Sequence, residues 1–354
     1  MHSILSSRCG LAFAAITLTV SLSAQTTVNV SCAADNTLYQ TLTGDASNGA
    51  GVGLFVGLNA FGSVRRAVLR FNVAATVPAG AKILSAQLTL NCVQSTVALP
   101  LPITGHRLTQ SWGEGTSVAS GGGGGGGLAT TGDATWLHRF WPGSLWTNLG
   151  GDFAATPSFT ASMVPIGSFT SIRSEAAAAD VQSWLDTPAT NFGWLLKTDE
   201  LLASTAHRID SRESAGQKPL LAVTYMLPGQ NGTWGIGCPV GAGFFTTTWV
   251  GAPIGGATVQ IAKTAATPLS IGADFFTLAL DPLGTPLLPG CTLYLPFAQV
   301  IPGAAFLTNA VGAGSSPFVI PTGFPGYLIN CQAAVIENNP LGFVISNAAL
   351  TVLQ

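Results

Sequence analysis

The sequence predicts an all-β protein built from two antiparallel sandwiches. Apolar residues make up 47% of the 354 positions, yet they fall in short runs cut by 43 Gly and 21 Pro. Within those runs polar and apolar residues alternate with a period of two, as a strand with one buried and one wetted face requires. Charged residues are only 8% of the chain, against about a quarter in ordinary globular domains. Ser, Thr and Asn must therefore supply the polar faces. A net charge of −2 gives no basic face for nucleic acid.

The first segment, "MHSILSSRCGLAFAAITLTVSLSAQ", reads as a secretory signal peptide, residues 1–24. Arg8 is its positive n-region, Leu11 to Leu22 its apolar core, and Ala24 its small cleavage residue. That core is shorter than the ~20 residues a membrane span needs. An exported, soluble, extracellular protein is expected, possible association with the cell surface included. Export permits disulfides. With Cys9 removed, Cys32, Cys92, Cys238, Cys291 and Cys331 remain, an odd number, so at least one is free or paired elsewhere. No CxxC pair or Cys/His cluster suggests a zinc site, and no metal site is assigned.

The first sandwich is expected over 25–228. "TTVNVSCAAD" puts Val28, Val30 and Cys32 on one strand face. "VRRAVLRFNV" puts Ala67, Leu69, Phe71 and Val73 inward, with Arg66, Val68 and Arg70 opposite. "KILSAQLTLNCV" turns Leu84, Ala86, Leu88, Leu90 and Cys92 inward, with Ser85, Gln87, Thr89 and Asn91 outward. Cys32 and Cys92 both fall on core faces, so a disulfide and two buried thiols are both open. Residues 95–160 are loop-rich. The glycine run at 120–132 lacks the GK[ST] ending and following helix of a P-loop, and reads as a flexible loop insertion. Trp136 and Trp146 are expected to anchor loops, Trp112 and Trp184 to be core, and Trp141 to be exposed.

Residues 174–186 are the one good helix: Ser174 caps, Glu175 suits the first turn, and Ala177, Val181, Trp184 and Leu185 make an apolar stripe. "FGWLLKT", "HRIDSRE" and "PLLAVTYM" then read as strands. "LPGQNGTWGIGCP" is the linker. Residues 229–354 carry only Lys263, Asp274, Asp281 and Glu337 as charges. Strands are predicted there at 258–263, 275–281, 291–299, 331–337 and 342–353, giving a smaller, Gly/Pro-rich sandwich of unassigned role.

Several phrases in order, "RRAVLRFNV", "GAKILSAQLTL", "HRLTQSWGEGTS", "GDATWLHRFWPGSLWTNLGGDF", "VQSWLDTPATNFGWLLKT" and "RIDSRESAGQKPLLAVTY", resemble the DNRLRE domain family of extracellular, carbohydrate-binding-module-like domains. The resemblance covers roughly 28–226. It implies a jelly-roll-like sandwich that binds polysaccharides such as alginate, but no ligand residues that transfer position by position. The second domain resembles a C-terminal module recurrent in secreted bacterial proteins, through "GIGCP", "PLLPGCTLYL" and "NPLGFVISNA". That resemblance implies a Cys238–Cys291 disulfide and leaves Cys331 as a buried odd thiol.

The densest charge lies in "HRIDSRES", 207–214. On a strand, Arg208, Asp210 and Arg212 share one face, and His207, Ser211 and Glu213 the other. A glycosidase pair of Asp210 and Glu213 would then be split across the sheet. A triad of His207, Ser211 and Glu213 has its members about 6–7 Å apart along the strand, and no GxSxG elbow occurs. No catalytic residue is assigned. Glu213 is expected in a structural ion pair with an arginine such as Arg65.

A binding surface is the stronger expectation. Arg66 and Arg70 share one strand face, Arg208 and Arg212 another; adjacent strands would line up four guanidiniums to clamp the carboxylates of an acidic polysaccharide. Arg139 and Trp141 would add charge and a stacking platform. No cofactor is implied, although Asp35, Asp133 and Asp152 lie in loops whose carbonyls suit calcium. The expected function is a secreted, non-catalytic binder of uronate-type polysaccharide. The alternatives are a structural or adhesive matrix protein and a polysaccharide lyase or hydrolase.

Overall fold

The computed structural model describes residues 24–354, so the signal peptide, apart from Ala24, lies outside the described residues. The fold is all-β and antiparallel. The first domain comprises β1 (Thr26–Tyr39), β2 (Gly53–Leu58), β3 (Val64–Phe71), β4 (Lys82–Ser95), β5 (Leu101–Arg107), β6 (Phe159–Met163) and β7 (Gly167–Thr170). Helix α1 (Glu175–Asp186) follows, then β8 (Trp194–Lys197), β9 (His207–Asp210) and β10 (Leu220–Met226).

One sheet pairs the first half of β1 with β10, then β4, then β9 and β2, with β7 also on β4. The other pairs the second half of β1 with β3, then β8, β5 and β6. Two strands are shared. β1 changes register between Cys32 and Ala34 as it passes from β10 to β3. β2 pairs with β9 through residues 53–56 and with β3 through Gly57 and Leu58. The two edge strands of the first sheet, β1 and β2, thus both pair with β3, which closes the strands into a ring, and the core inside takes Leu69, Phe71, Leu88, Leu90, Ile209 and Val223.

Helix α1 adds Ala177, Val181, Trp184 and Leu185 to that core. Ser174 caps it by accepting from the Ala177 N–H at 3.0 Å, which satisfies one of the otherwise orphaned first-turn donors. Trp184 packs against Trp194 at 4.6 Å between ring centroids.

The alternation read from "VRRAVLRFNV" holds: Ala67, Leu69, Phe71 and Val73 are fully buried. On β4 it breaks at one place. A register shift opposite Thr224 and Tyr225 turns Ile83 into the core and sends Leu84 out into a separate cluster with Met226, Trp234, Leu280 and Leu350. Leu84 therefore joins the first domain to the second rather than filling its interior. Cys32 and Cys92 do not bond; both are buried free thiols. They pair in different sheets, Cys32 opposite Phe71 and Cys92 opposite Gly167, and their sulfurs face the carbonyls of Arg70 and Pro165 respectively.

No strand before Met226 pairs with one after Asn231 among the described residues. The second domain is a smaller sandwich. Its larger sheet runs β11 (Asn231–Trp234), then later strands β19 (Ala348–Val352), β17 (Leu328–Ile336), β14 (Ile271–Thr277) and β15 (Ile301–Leu307), with β18 (Phe343–Ile345) beside β17. The smaller sheet is β12 (Thr246–Val250), β13 (Thr258–Thr264) and β16 (Gly314–Val319). Trp249, Val259 and Ile261 of the small sheet meet Phe276, Ile329 and Ala349 of the large one. A disulfide joins Cys238 to Cys291, and Cys331 is a fully buried thiol. Among the described residues no helix is long and apolar enough to cross a membrane.

Candidate functional site

Strands β3 and β9 are not neighbours, because β2 lies between them. The four arginines consequently do not form one face. Arg66 is turned to Glu200, with Nε–Oε1 at 2.7 Å and Nη2–Oε2 at 2.9 Å. Its Nη1 donates to the Gly150 carbonyl, and its guanidinium lies 4.9 Å over the Trp136 ring. Arg66 thus holds a lobe formed by residues 108–153, in which Trp112, Trp136 and Trp146 pack over Leu38, Val68 and Leu195. All three tryptophans are buried. Arg70 is half-buried and forms no ion pair among the described residues.

The run "HRIDSRE" is strand only as far as Asp210. Ser211 to Ser214 form a turn, closed by the Ser214 N–H on the Ser211 carbonyl, so the expected Arg208–Asp210–Arg212 row is interrupted. Asp210 accepts from Asn91 and from Ser214, the Ser211 hydroxyl donates to Gly51, and His207 contacts Ser95 and Thr205. Asp210, Ser211 and His207 are thus each engaged in holding the frame.

Arg65 does not reach Glu213. It is 3% exposed, and its Nε donates to the Gly124 carbonyl at 3.1 Å while Nη1 donates to the Val64 carbonyl at 2.9 Å. Beside it the Tyr39 hydroxyl donates to the Gly123 carbonyl at 2.9 Å. Arg65 and Tyr39 thereby fasten the glycine run, expected to be a flexible insertion, down onto Phe55. Burial lowers the Arg65 pKa and raises that of Tyr39.

Glu213 takes Arg212 instead, Nε–Oε1 2.9 Å. The main partner of Arg212 is Glu114, which it grips by Nε–Oε1 at 2.5 Å and Nη2–Oε2 at 2.8 Å. That bond raises the Arg212 pKa. Asp35 sits against the same group, accepting from the Arg212 backbone N–H at 2.7 Å. Burial, together with the charges of Glu213 and Glu114, pushes its carboxyl up to about 8. Glu114 carried no role in the sequence reading; nothing short of the fold brings it to Arg212, 98 residues away.

Arg208 is different. It lies flat on β2, where Gly53 makes room: a Cβ there would stand 2.5 Å from Arg208 Nε. That Nε is buried and has no hydrogen-bond partner, and no carboxylate lies within ion-pair distance among the described residues. The side chain forms one wall of an open cleft of about 340 Å³. Phe55 and Phe61, Gln94, Thr96 and the glycines at 122 and 124 line the rest. Phe61 is 93% exposed. A smaller hollow of about 90 Å³, lined by Asn48, Gly53 and Val118, adjoins it across Arg208.

Arg139 and Trp141 do not line this cleft. Arg139 donates to Ser111, and Trp141 is half-buried with its ring edge-on to His138 at 4.7 Å. Of the three aspartates considered for calcium, Asp152 is taken up by the N–H groups of Thr147 and Asn148, which lower its pKa. Asp133 accepts from Thr130, and only Asp35 faces other carboxylates. No family model matches the chain, and no curated protein matches it.

Proposed function

We propose that the chain is a secreted, non-catalytic protein whose first sandwich binds an acidic, uronate-type polysaccharide in the Arg208 cleft. Arg208 carries the reading. Arg66 and Arg212 are neutralised by Glu200 and Glu114, whereas Arg208 forms no ion pair among the described residues and lines an open cleft beside the exposed Phe61 ring. A planar guanidinium suits a uronate carboxylate, and a ring such as Phe61 offers an apolar platform to a sugar face. The ordered phrases that resemble DNRLRE domains support the same ligand class. The signal-peptide pattern and the Cys238–Cys291 bond support an extracellular setting.

The test is affinity electrophoresis or calorimetry with alginate and polygalacturonate against Arg208→Ala. A charge-assisted hydrogen bond contributes about 1.5–3 kcal/mol, so the variant should bind roughly 10- to 150-fold more weakly with an unchanged melting curve. Equal binding by the variant, or none by the wild type, would overturn the reading; depolymerisation of the polymer would restore an enzyme.

A structural or adhesive role is the second reading. It is favoured by β15, which ends the larger sheet of the second domain with Ile301 and Leu307 exposed. Apolar residues on an edge strand are a pairing surface.

A further inference from the structure

Asp35, Glu114 and Glu213 come from three distant parts of the first domain, yet their carboxylate oxygens lie within 4.8 Å of one another. The fold brings them together at the bulge where β1 crosses between sheets, the loop after Trp112 and the turn after β9. One cation, Arg212, faces three carboxylates. Both Glu114 oxygens are taken by its guanidinium, and Glu114 Oε1 also accepts the Asp35 N–H. Two oxygens are left over. Asp35 is 0% exposed, and its Oδ1 has no hydrogen-bond partner; Glu213 Oε2 is likewise buried without one.

Buried carboxylate oxygens are paired, metal-bound or protonated in stable proteins. We propose that Asp35 and Glu213 bind one calcium ion through the otherwise unpartnered Asp35 Oδ1 and Glu213 Oε2, with Glu114 adding its charge beside them and water completing the shell. The donor set selects the metal class. Both protein ligands are carboxylate oxygens, which suit hard cations. The adjustable coordination number of Ca²⁺ fits a set shared with an arginine better than the strict octahedron of Mg²⁺ does. Ion and arginine together balance the three carboxylates. The site ties β1, the 113–116 loop and the β9 turn at a single point.

The experiment uses the full mature chain, stripped by chelator and titrated with CaCl₂ by calorimetry, alongside thermal melting in CaCl₂ and in EGTA. One Ca²⁺ per chain, a higher melting temperature in CaCl₂, and at least tenfold weaker Ca²⁺ binding by Glu213→Gln are expected. Asp35→Asn, which keeps shape and removes charge, should act in the same direction. If both variants fail to fold, the wild-type stoichiometry and the CaCl₂–EGTA difference in melting still decide. No heat and no melting shift, MgCl₂ acting as well as CaCl₂, or unchanged affinity in folded Glu213→Gln would each overturn the proposal. Stability that follows pH in EGTA but ignores Ca²⁺ would instead show a proton shared between Asp35 and Glu213.

Discussion

Lys263 and Asp274 stand 2.8 Å apart in the interior of the second domain with side chains 0% and 1% exposed. They are half of that domain's charged residues, and Ser316 bonds to both. The ammonium also lies 4.3 Å over the Phe306 ring, and burial lowers its pKa. A buried pair adds little to stability over an apolar replacement, but removing one partner strands the other charge at a cost of about 3–5 kcal/mol. Asp274→Asn should therefore destabilise the second domain by about that amount in urea denaturation. The double variant Lys263→Met with Asp274→Leu should lose much less. Equal losses would mean that the cost lies in packing rather than in charge.

At the scale of the element, the glycine run shows how a segment with no side chains is nevertheless fixed. Its carbonyls at 123 and 124 accept from Tyr39 and Arg65, both on strands of the frame. Each such bond is worth about 1 kcal/mol. Arg65→Ala should accordingly raise amide hydrogen exchange across residues 118–127 by roughly fivefold or more and leave exchange in β3 and β4 unaltered. Unchanged exchange in the run would show that the loop is held by Phe55 packing alone. None of this docking is legible in the sequence, because contacts made by carbonyl groups leave no residue pattern behind. Strand alternation is legible: the inward rows of β3 and most of β4 can be read directly, since period two is imposed by the pleat. What interrupts it is not. The bulge that redirects Leu84 depends on pairing with β10, and the end of β9 at Asp210 depends on Asn91 and Ser214. The arginine face failed for a related reason. Same-face residues on two strands form one surface only if the strands are neighbours, and β2 separates β3 from β9.

Across the whole molecule, the two sandwiches rely on different means of stabilisation. The first has three sources: a core that includes α1, a lobe packed through Trp112, Trp136 and Trp146, and several ion pairs. The second is poor in charge and carries the disulfide, which closes a loop of 53 residues. In the chain-entropy account such a loop is worth about 4 kcal/mol. For a domain of this size that corresponds to a fall in melting temperature on the order of 15 °C. They meet through Leu84 and Met226 on one side and Trp234, Leu280 and Leu350 on the other, a contact made without any shared strand. Cys238→Ala with Cys291→Ala should thus lower one calorimetric transition by roughly that amount. The transition of the first sandwich should move by no more than a few degrees, as the interface cluster loses a folded partner. A single transition that shifts as one would show that this cluster makes the two sandwiches unfold as one cooperative unit, and the separate roles proposed for them would then rest on a shared stability.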